Sequence, residues 1–177
     1  MILLSEIQCS NDKPVYHLFD LKPLSTLAIP KALEKANRYR LLNEPCAAES
    51  ICLDILEIEP NNQEALITIL LAMSDRFGKV FTVGNSLVYG FIARIENEYS
   101  RAYYTGIIYE RRAKAALRTD GLNAYELFRQ AMDWFEKAEK LSPEDDDDSI
   151  LRWNGCARII VANDLKPRDM EEDILTV

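Results

Sequence analysis

Apolar residues recur along this chain at helical spacing, in blocks divided by proline and glycine. From Pro30 onward, Leu33, Ala36, Asn37, Arg40 and Leu41 keep the register of a first helix. Pro30 suits its first turn, where a missing N–H loses no partner. Asn43-Glu44-Pro45 breaks the run, because a helix interior rejects proline and the residue before it is pushed out of the α region. Pro45 opens a second helix with a core stripe of Ala48, Ile51, Cys52, Ile55 and Leu56, closed by Pro60. Asn62 then predicts the N-cap of a third helix over about 63–77, with Leu66, Ile69, Leu70 and Met73 inward and Gly78 at its end. Lys79 to Val83 is β-branched and aromatic, which in isolation is a strand signal. With no partner strand nearby, it is expected to be a loop or an irregular helix start.

Helices resume over about 86–96, 98–118, 122–141 and 149–163. Ala102, Thr105, Gly106, Tyr109, Ala113 and Ala116 form the packed stripe of the long fifth helix. The sixth carries two stripes, Tyr125/Phe128/Met132/Phe135 and Leu127/Ala131/Trp134/Ala138/Leu141, which predicts burial on two sides. Asp147, Asp148 or Ser149 is expected to cap the last helix. The prediction is an all-α fold of about seven helices. Residues 1–28 form an irregular N-terminal segment, 29–163 the helical domain, and 164–177 an acidic tail expected to be mobile.

Charge and chemistry narrow the function more than the fold. A net charge of −8 opposes binding to phosphate backbones and anionic lipid surfaces, so neither nucleic acid nor membrane is expected as a partner. The local cluster of Arg111, Arg112, Lys114 and Arg118 is read as a solvated helix face. No apolar run approaches the ~18 residues of a membrane span. The N-terminus lacks the basic flank and long apolar core of a cleaved signal, and a cytoplasmic location is expected. None of the four cysteines forms a C-x-x-C pair; Cys46, Cys52 and Cys156 are expected as reduced core residues. His17 is the lone histidine, and no phosphate-binding, zinc-protease or serine-hydrolase motif occurs. The run Asp145 to Asp148 lacks the glycine turn and distal glutamate of a calcium loop and is read as a solvated linker. No cofactor, metal or catalytic activity is expected.

Two helix ends share one pattern. A-x3-C-x2-I-L-E-I-E-P runs from Ala48 to Pro60, and A-x3-F-x2-A-E-K-L-S-P from Ala131 to Pro143. Ala36 and Tyr39 precede the first; Gly106 and Tyr109 precede the second. This alternation of small and large residues on paired helices, closed by proline, resembles the tetratricopeptide repeat. Cys52 and Ile55 reverse the usual large–small order. Pro60 and Pro143 are 83 residues apart, more than two repeats of about 34 need, so an elongated hairpin is expected between Gly106 and Ala131. The middle repeat has a degenerate second helix. The last helix, with Gly155 at the small position, is expected to be a cap.

The resemblance covers about residues 29–163 and implies a right-handed α-solenoid of antiparallel hairpins, TPR-like, with a concave groove that binds a protein or peptide. Carried over by position, that groove presents Asn37, Arg40, Tyr103, Tyr104, Arg111 and Arg152. Asn37 matches an asparagine that many relatives use to hold a terminal carboxylate. Leu33, Ser100 and Tyr104 stand where basic partners of that clamp are expected, so the clamp is incomplete. A non-catalytic scaffold for a mixed apolar and acidic ligand is the leading expectation. A self-associating structural subunit comes second and an enzyme or small-molecule sensor third; the chain is expected to be a monomer or homo-dimer.

Overall fold

The computed structural model describes residues 20–78, 85–119, 121 and 123–168. His17, most of the N-terminal segment, the stretch 79–84 and the tail beyond Arg168 lie outside the described residues, so the expectations placed on them stay as stated. One 3₁₀ turn, Thr26–Ala28, leads into seven α-helices: α1 (Ile29–Leu41), α2 (Pro45–Ile58), α3 (Gln63–Ser74), α4 (Asn85–Ile92), α5 (Glu98–Thr119), α6 (Ala124–Glu139) and α7 (Asp148–Ala162). No strand occurs among the described residues. Among the described residues the fold is all-helical.

The helix ends follow the local chemistry. Asn62 Oδ1 accepts the Ala65 N–H at 2.9 Å and starts α3; Asn97 Oδ1 accepts the Ser100 N–H at 2.8 Å and starts α5. That cap explains why α4 stops at Ile92, short of the expected 96: the residues before it must leave the helix. Asn43 closes α1 in the left-handed region at φ 60°, with the Glu44 N–H reaching back to the Tyr39 carbonyl at 2.8 Å. Asp164 closes α7 in the same way, the Leu165 N–H bonding the Ile160 carbonyl at 3.0 Å. The start of α7 differs from expectation in which residue caps it. Asp147 occupies the cap position without a side-chain bond, and Asp146 Oδ1 accepts the Asp148 N–H at 2.9 Å instead.

Consecutive helices pack on one another, and α1 also lies against α3, and α3 against α5. The buried residues form two clusters. One gathers α1 to α4 with Ile108 and Ala115 of α5; the other joins Ile107 and Ala113 of α5 to Phe128, Ala131, Met132, Phe135 and Cys156. Ile107 and Ile108 are neighbours in sequence yet enter different clusters, because successive helical residues point about 100° apart. The helix shared by both cores is therefore α5. On α6, the expected second stripe is only partly covered: Ala131 and Ala138 are buried, Leu127 and Trp134 half-buried, and Leu141 exposed. The Lys137 ammonium lies 4.0 Å from the Trp134 ring centroid and shields it instead.

On α1 and α2, Ala36, Ala48, Cys52 and Ile55 are all buried and Tyr39 is half-buried. Burial pushes the Cys52 and Cys156 thiols up to about 12, which makes them inert apolar fillers at neutral pH. Cys46 departs from this: it is exposed in the first turn of α2, beside Pro45. The elongated hairpin is present, with α5 running 22 residues. Its closest approach to α6 is at Gly106. A methyl group there would lie 2.6 Å from the Phe135 ring, closer than carbon atoms tolerate. Deep in the other core, Arg76 reaches Glu49 at 2.5 Å, a buried pair that ties α2 to the turn after α3.

The Gly106 contact makes a prediction against helix propensity. Alanine is a better helix former than glycine by about 1 kcal/mol. Gly106→Ala is nonetheless expected to lose stability and Gly106→Val to lose about 1–3 kcal/mol by overpacking against Phe135. Urea denaturation measures both. A Gly106→Ala variant as stable as wild type or more so shows that α5 and α6 separate freely, contrary to this packing.

A candidate binding face across α1, α3, α5 and α7

Arg40 on α1 and Arg111 on α5 meet at one carboxylate. The Arg40 Nε donates to Asp75 Oδ2 at 3.0 Å, and Arg111 Nη1 binds Asp75 Oδ1 in closer contact. Arg111 Nη1 also donates to the Leu71 carbonyl at 2.9 Å and to Ser74 Oγ at 2.6 Å. Asp75 and both of these acceptors sit at the end of α3, where the Leu71 carbonyl also accepts from the Asp75 N–H and the Ser74 hydroxyl. On α1, Asn37 lies one turn before Arg40. Its Nδ2 reaches Glu64 at 3.5 Å and its Oδ1 accepts from Thr68 Oγ1 at 3.3 Å, so both ends of its amide are satisfied from α3.

Further along the face, Arg152 of α7 reaches Glu110 of α5 at 3.4 Å, and Lys114 binds the other oxygen of the same carboxylate. The Tyr103 ring stacks on Tyr99 with centroids 5.8 Å apart, meets Tyr104 edge-on at 5.3 Å, and leans on Phe135 at 6.0 Å. Burial raises the Tyr104 pKa and the neighbouring Tyr103 adds to it, while Arg40 and Arg152 pull it back down. Burial lowers the Arg111 pKa; Asp75 opposes that, and Arg40 and Arg152 reinforce it. Arg152 also shares a hydrogen bond with Tyr103.

Of the six residues singled out from the sequence, Arg40 and Arg111 meet at Asp75, Tyr103 meets Tyr104 and Arg152, and Asn37 pairs with Glu64 and Thr68 of α3. Their roles are unequal. Arg111 has one terminal nitrogen committed to three acceptors on α3 and braces the fold. Tyr103 and Tyr104 are both packed between helices and partly open to solvent. Arg40 is held through Nε, leaving its terminal nitrogens with no partner among the described residues. Arg152 makes a long bond to Glu110 and a second hydrogen bond with Tyr103. Sequence reasoning missed Lys114, Asp75 and Glu110. The i,i+4 spacing of Glu110 and Lys114 was a readable signal; Asp75 carried none, because its partners come from helices distant in sequence.

The basic cluster on α5 is not the solvated face expected. Successive positions point in different directions, so Arg111 turns to α3, Lys114 to Glu110, and Arg112 into aromatic rings. The Arg112 guanidinium lies 5.4 Å from Phe77, 5.1 Å from Tyr89 and 5.9 Å from Tyr109, and its Nη1 donates to the Tyr89 hydroxyl at 2.9 Å. Arg118 is exposed.

Two open clefts lie elsewhere. One of about 580 Å³ is lined by Glu136, Glu139, Lys140, Ile150 and Trp153; the other, about 460 Å³, lies between α1 and the start of α3. Neither is lined by a cysteine or histidine. Among the described residues no cluster of metal-ligating side chains occurs, and no helix is long and apolar enough to cross a membrane. Comparison with family models, with curated proteins and with solved structures returns no match.

The acidic run before α7 is structural at Asp146. It accepts the Asp148 N–H and, at 2.7 Å, the Tyr99 hydroxyl. Those bonds, the backbone one first, hold the Asp146 carboxyl below its ordinary 3.8. Burial, and then the bond to Asp146, raise the Tyr99 phenol above its ordinary 10.0. A depressed carboxyl adds stability that is present above its unfolded pKa and lost as pH falls through the folded one. A raised phenol adds stability that is present below its unfolded pKa and lost as pH rises through the folded one. Asp146→Asn is therefore expected to melt below wild type at neutral pH, with the gap closing as the solution is acidified below about pH 3.8. Thermal melts across pH read this, and a gap that persists unchanged into acid counts against the carboxylate's role.

Proposed function

We propose that the chain is a non-catalytic protein-interaction scaffold that binds an acidic peptide, or the acidic flank of a partner helix, across the face formed by α1, α3, α5 and α7. One observation carries the proposal. Four cations from three helices, Arg40, Arg111, Lys114 and Arg152, share two carboxylates, Asp75 and Glu110, on a protein whose net charge is −8. An anionic segment is attracted to that face and repelled from most other surfaces. Tyr103 and Tyr104 lie among the cations and offer amphipathic contact area.

The packing of consecutive helices, together with α1 on α3 and α3 on α5, supports a right-handed array of antiparallel hairpins similar to a tetratricopeptide solenoid. In such an array, peptides lie along the first helices of successive hairpins, which are α1, α3, α5 and α7. Removing a charge-assisted hydrogen bond costs about 1.5–3 kcal/mol, or roughly tenfold or more in affinity. Arg152→Glu is expected to strip acidic partners from an affinity capture out of native lysate while its circular dichroism shows the helices retained. The same set of captured proteins with wild type and with a folded Arg152→Glu variant rejects the proposal.

A second reading, self-association, rests on exposed leucines at both ends of the array. Leu27 is 94% exposed and Leu41 87% at the α1 end; on α7, Leu151 is 64% exposed and Val161 80%. Light scattering distinguishes it: a monomer at high micromolar concentration excludes a structural role through these ends.

A further inference from the structure

The two helices that bound the array carry different outer sides. α1 packs on α2 and α3; α7 packs on α6 and meets α5 through Arg152 and Glu110. On α1, Ile29, Leu33 and Ala36 are buried. A helix turns about 100° per residue, which puts Lys31, Lys35, Arg38 and Leu42 on the opposite side. All four are exposed, and so are Leu27 before the helix and Leu41 at its end. On α7, Ser149 and Cys156 are buried. Leu151, Asn154, Arg158 and Val161 run along the opposite side, with Leu151 and Val161 exposed. Gly155 lies one turn from both Leu151 and Arg158. A side-chain carbon built at Gly155 meets nothing within 4 Å, whereas the same position on α5, Gly106, is filled by the Phe135 ring. The small position of α7 is therefore an open notch.

We propose that the outer side of α1 docks on the outer side of α7 of a second copy, so that molecules join head to tail. The inference rests on the self-association reading above and names its partner and its pairing. Charge decides the pairing. On α1 and its flanks, residues 20–44, the exposed charges are Lys22, Lys31, Lys35 and Arg38 against Asp20, Glu34 and Glu44, net +1. The nearest carboxylates from other helices, Glu59 and Glu64, lie on the α3 side, where Asn62 and Asn37 hold them. On α7 and its flanks, residues 144–168, they are Glu144, Asp145, Asp147, Asp148 and Asp164 against Arg158, Lys166 and Arg168, net −2. Glu136, Glu139 and Lys140 of α6, in the cleft beside α7, keep that sign. Joining two α1 sides sets cations against their own copies, and joining two α7 ends sets acid against acid. Only α1 against α7 brings opposite signs together. Apolar contact supplies the rest: Leu27, Leu41 and Leu42 meet Leu151 and Val161, and the notch at Gly155 admits a leucine. Such a contact uses different surfaces on the two molecules. It leaves one unused end of each kind, so growth continues past a dimer.

Analytical ultracentrifugation of the full-length chain, from low to high micromolar concentration, tests this. The wild-type average mass is expected to rise with concentration and to pass that of a dimer. Two variants each close one end. Leu27→Glu with Leu41→Glu blocks α1; Leu151→Gln with Gly155→Gln blocks α7. The three leucines are exposed and Gly155 has open space, so the fold has no contact to lose, and circular dichroism checks that the helices are kept. Each variant alone is expected to stay monomeric. An equimolar mixture is expected to form a one-to-one dimer and nothing larger, because each variant supplies the end that the other lacks. A wild-type chain that stops at a dimer, or a blocked variant that still dimerises alone, overturns the head-to-tail pairing and leaves self-association standing. A wild-type chain that stays monomeric throughout overturns both.

Discussion

The side-by-side alignment of α1, α3 and α5 depends on the carboxylate of Asp75. It follows the last turn of α3, where unpaired carbonyls and the helix dipole already concentrate negative charge. A carboxylate there is unfavourable alone. Arg40 from α1 and Arg111 from α5 offset that charge, so the carboxylate is tolerated with helices on both sides supplying cations. A polar liability at one helix end has become the joint that fixes three helices side by side.

The apolar core adds a second constraint through α5. It is long enough to serve two clusters and presents Ile107 to one and Ile108 to the other. Its approach to α6 is set by the missing side chain at Gly106, which admits the Phe135 ring. Close crossing and a large aromatic opposite a small residue are one arrangement seen from two sides, since a tightly packed interior leaves no room for both to be large. Tyr103 rests on that same Phe135 ring, so the position of the tyrosines on the candidate face follows from the packing beneath them.

Structure and candidate function share the same charges here. Arg111 is committed to the end of α3, whereas Arg40 is held through Nε alone and Arg152 by Glu110 and Tyr103. A ligand carboxylate approaching this face meets guanidiniums already oriented by Asp75 and Glu110. It costs less ordering entropy than freely rotating arginines would demand. The same arrangement limits affinity, because an incoming anion competes with the internal carboxylates for every donor except those left unused.

Helix number and most boundaries were legible because they are local. Pro45, Pro60, Asn62 and Gly121 act within a turn of where they stand, and periodic apolar residues mark the inward side wherever the helix lies. Of the residues the resemblance selected, Arg40 and Arg111 meet at Asp75, and Arg152 meets Tyr103. What pattern alone did not reveal is pairing across long sequence separations: Asp75 with two arginines, Glu110 with Arg152, Arg112 among Phe77, Tyr89 and Tyr109. It also misjudged coverage, placing Cys46 inside and the second stripe of α6 under a neighbour. Periodicity states which side of a helix is apolar, but not whether another helix arrives to cover it. Local spacing set the helices of this protein; which charges meet, and which are left over for a ligand, followed from how those helices stack.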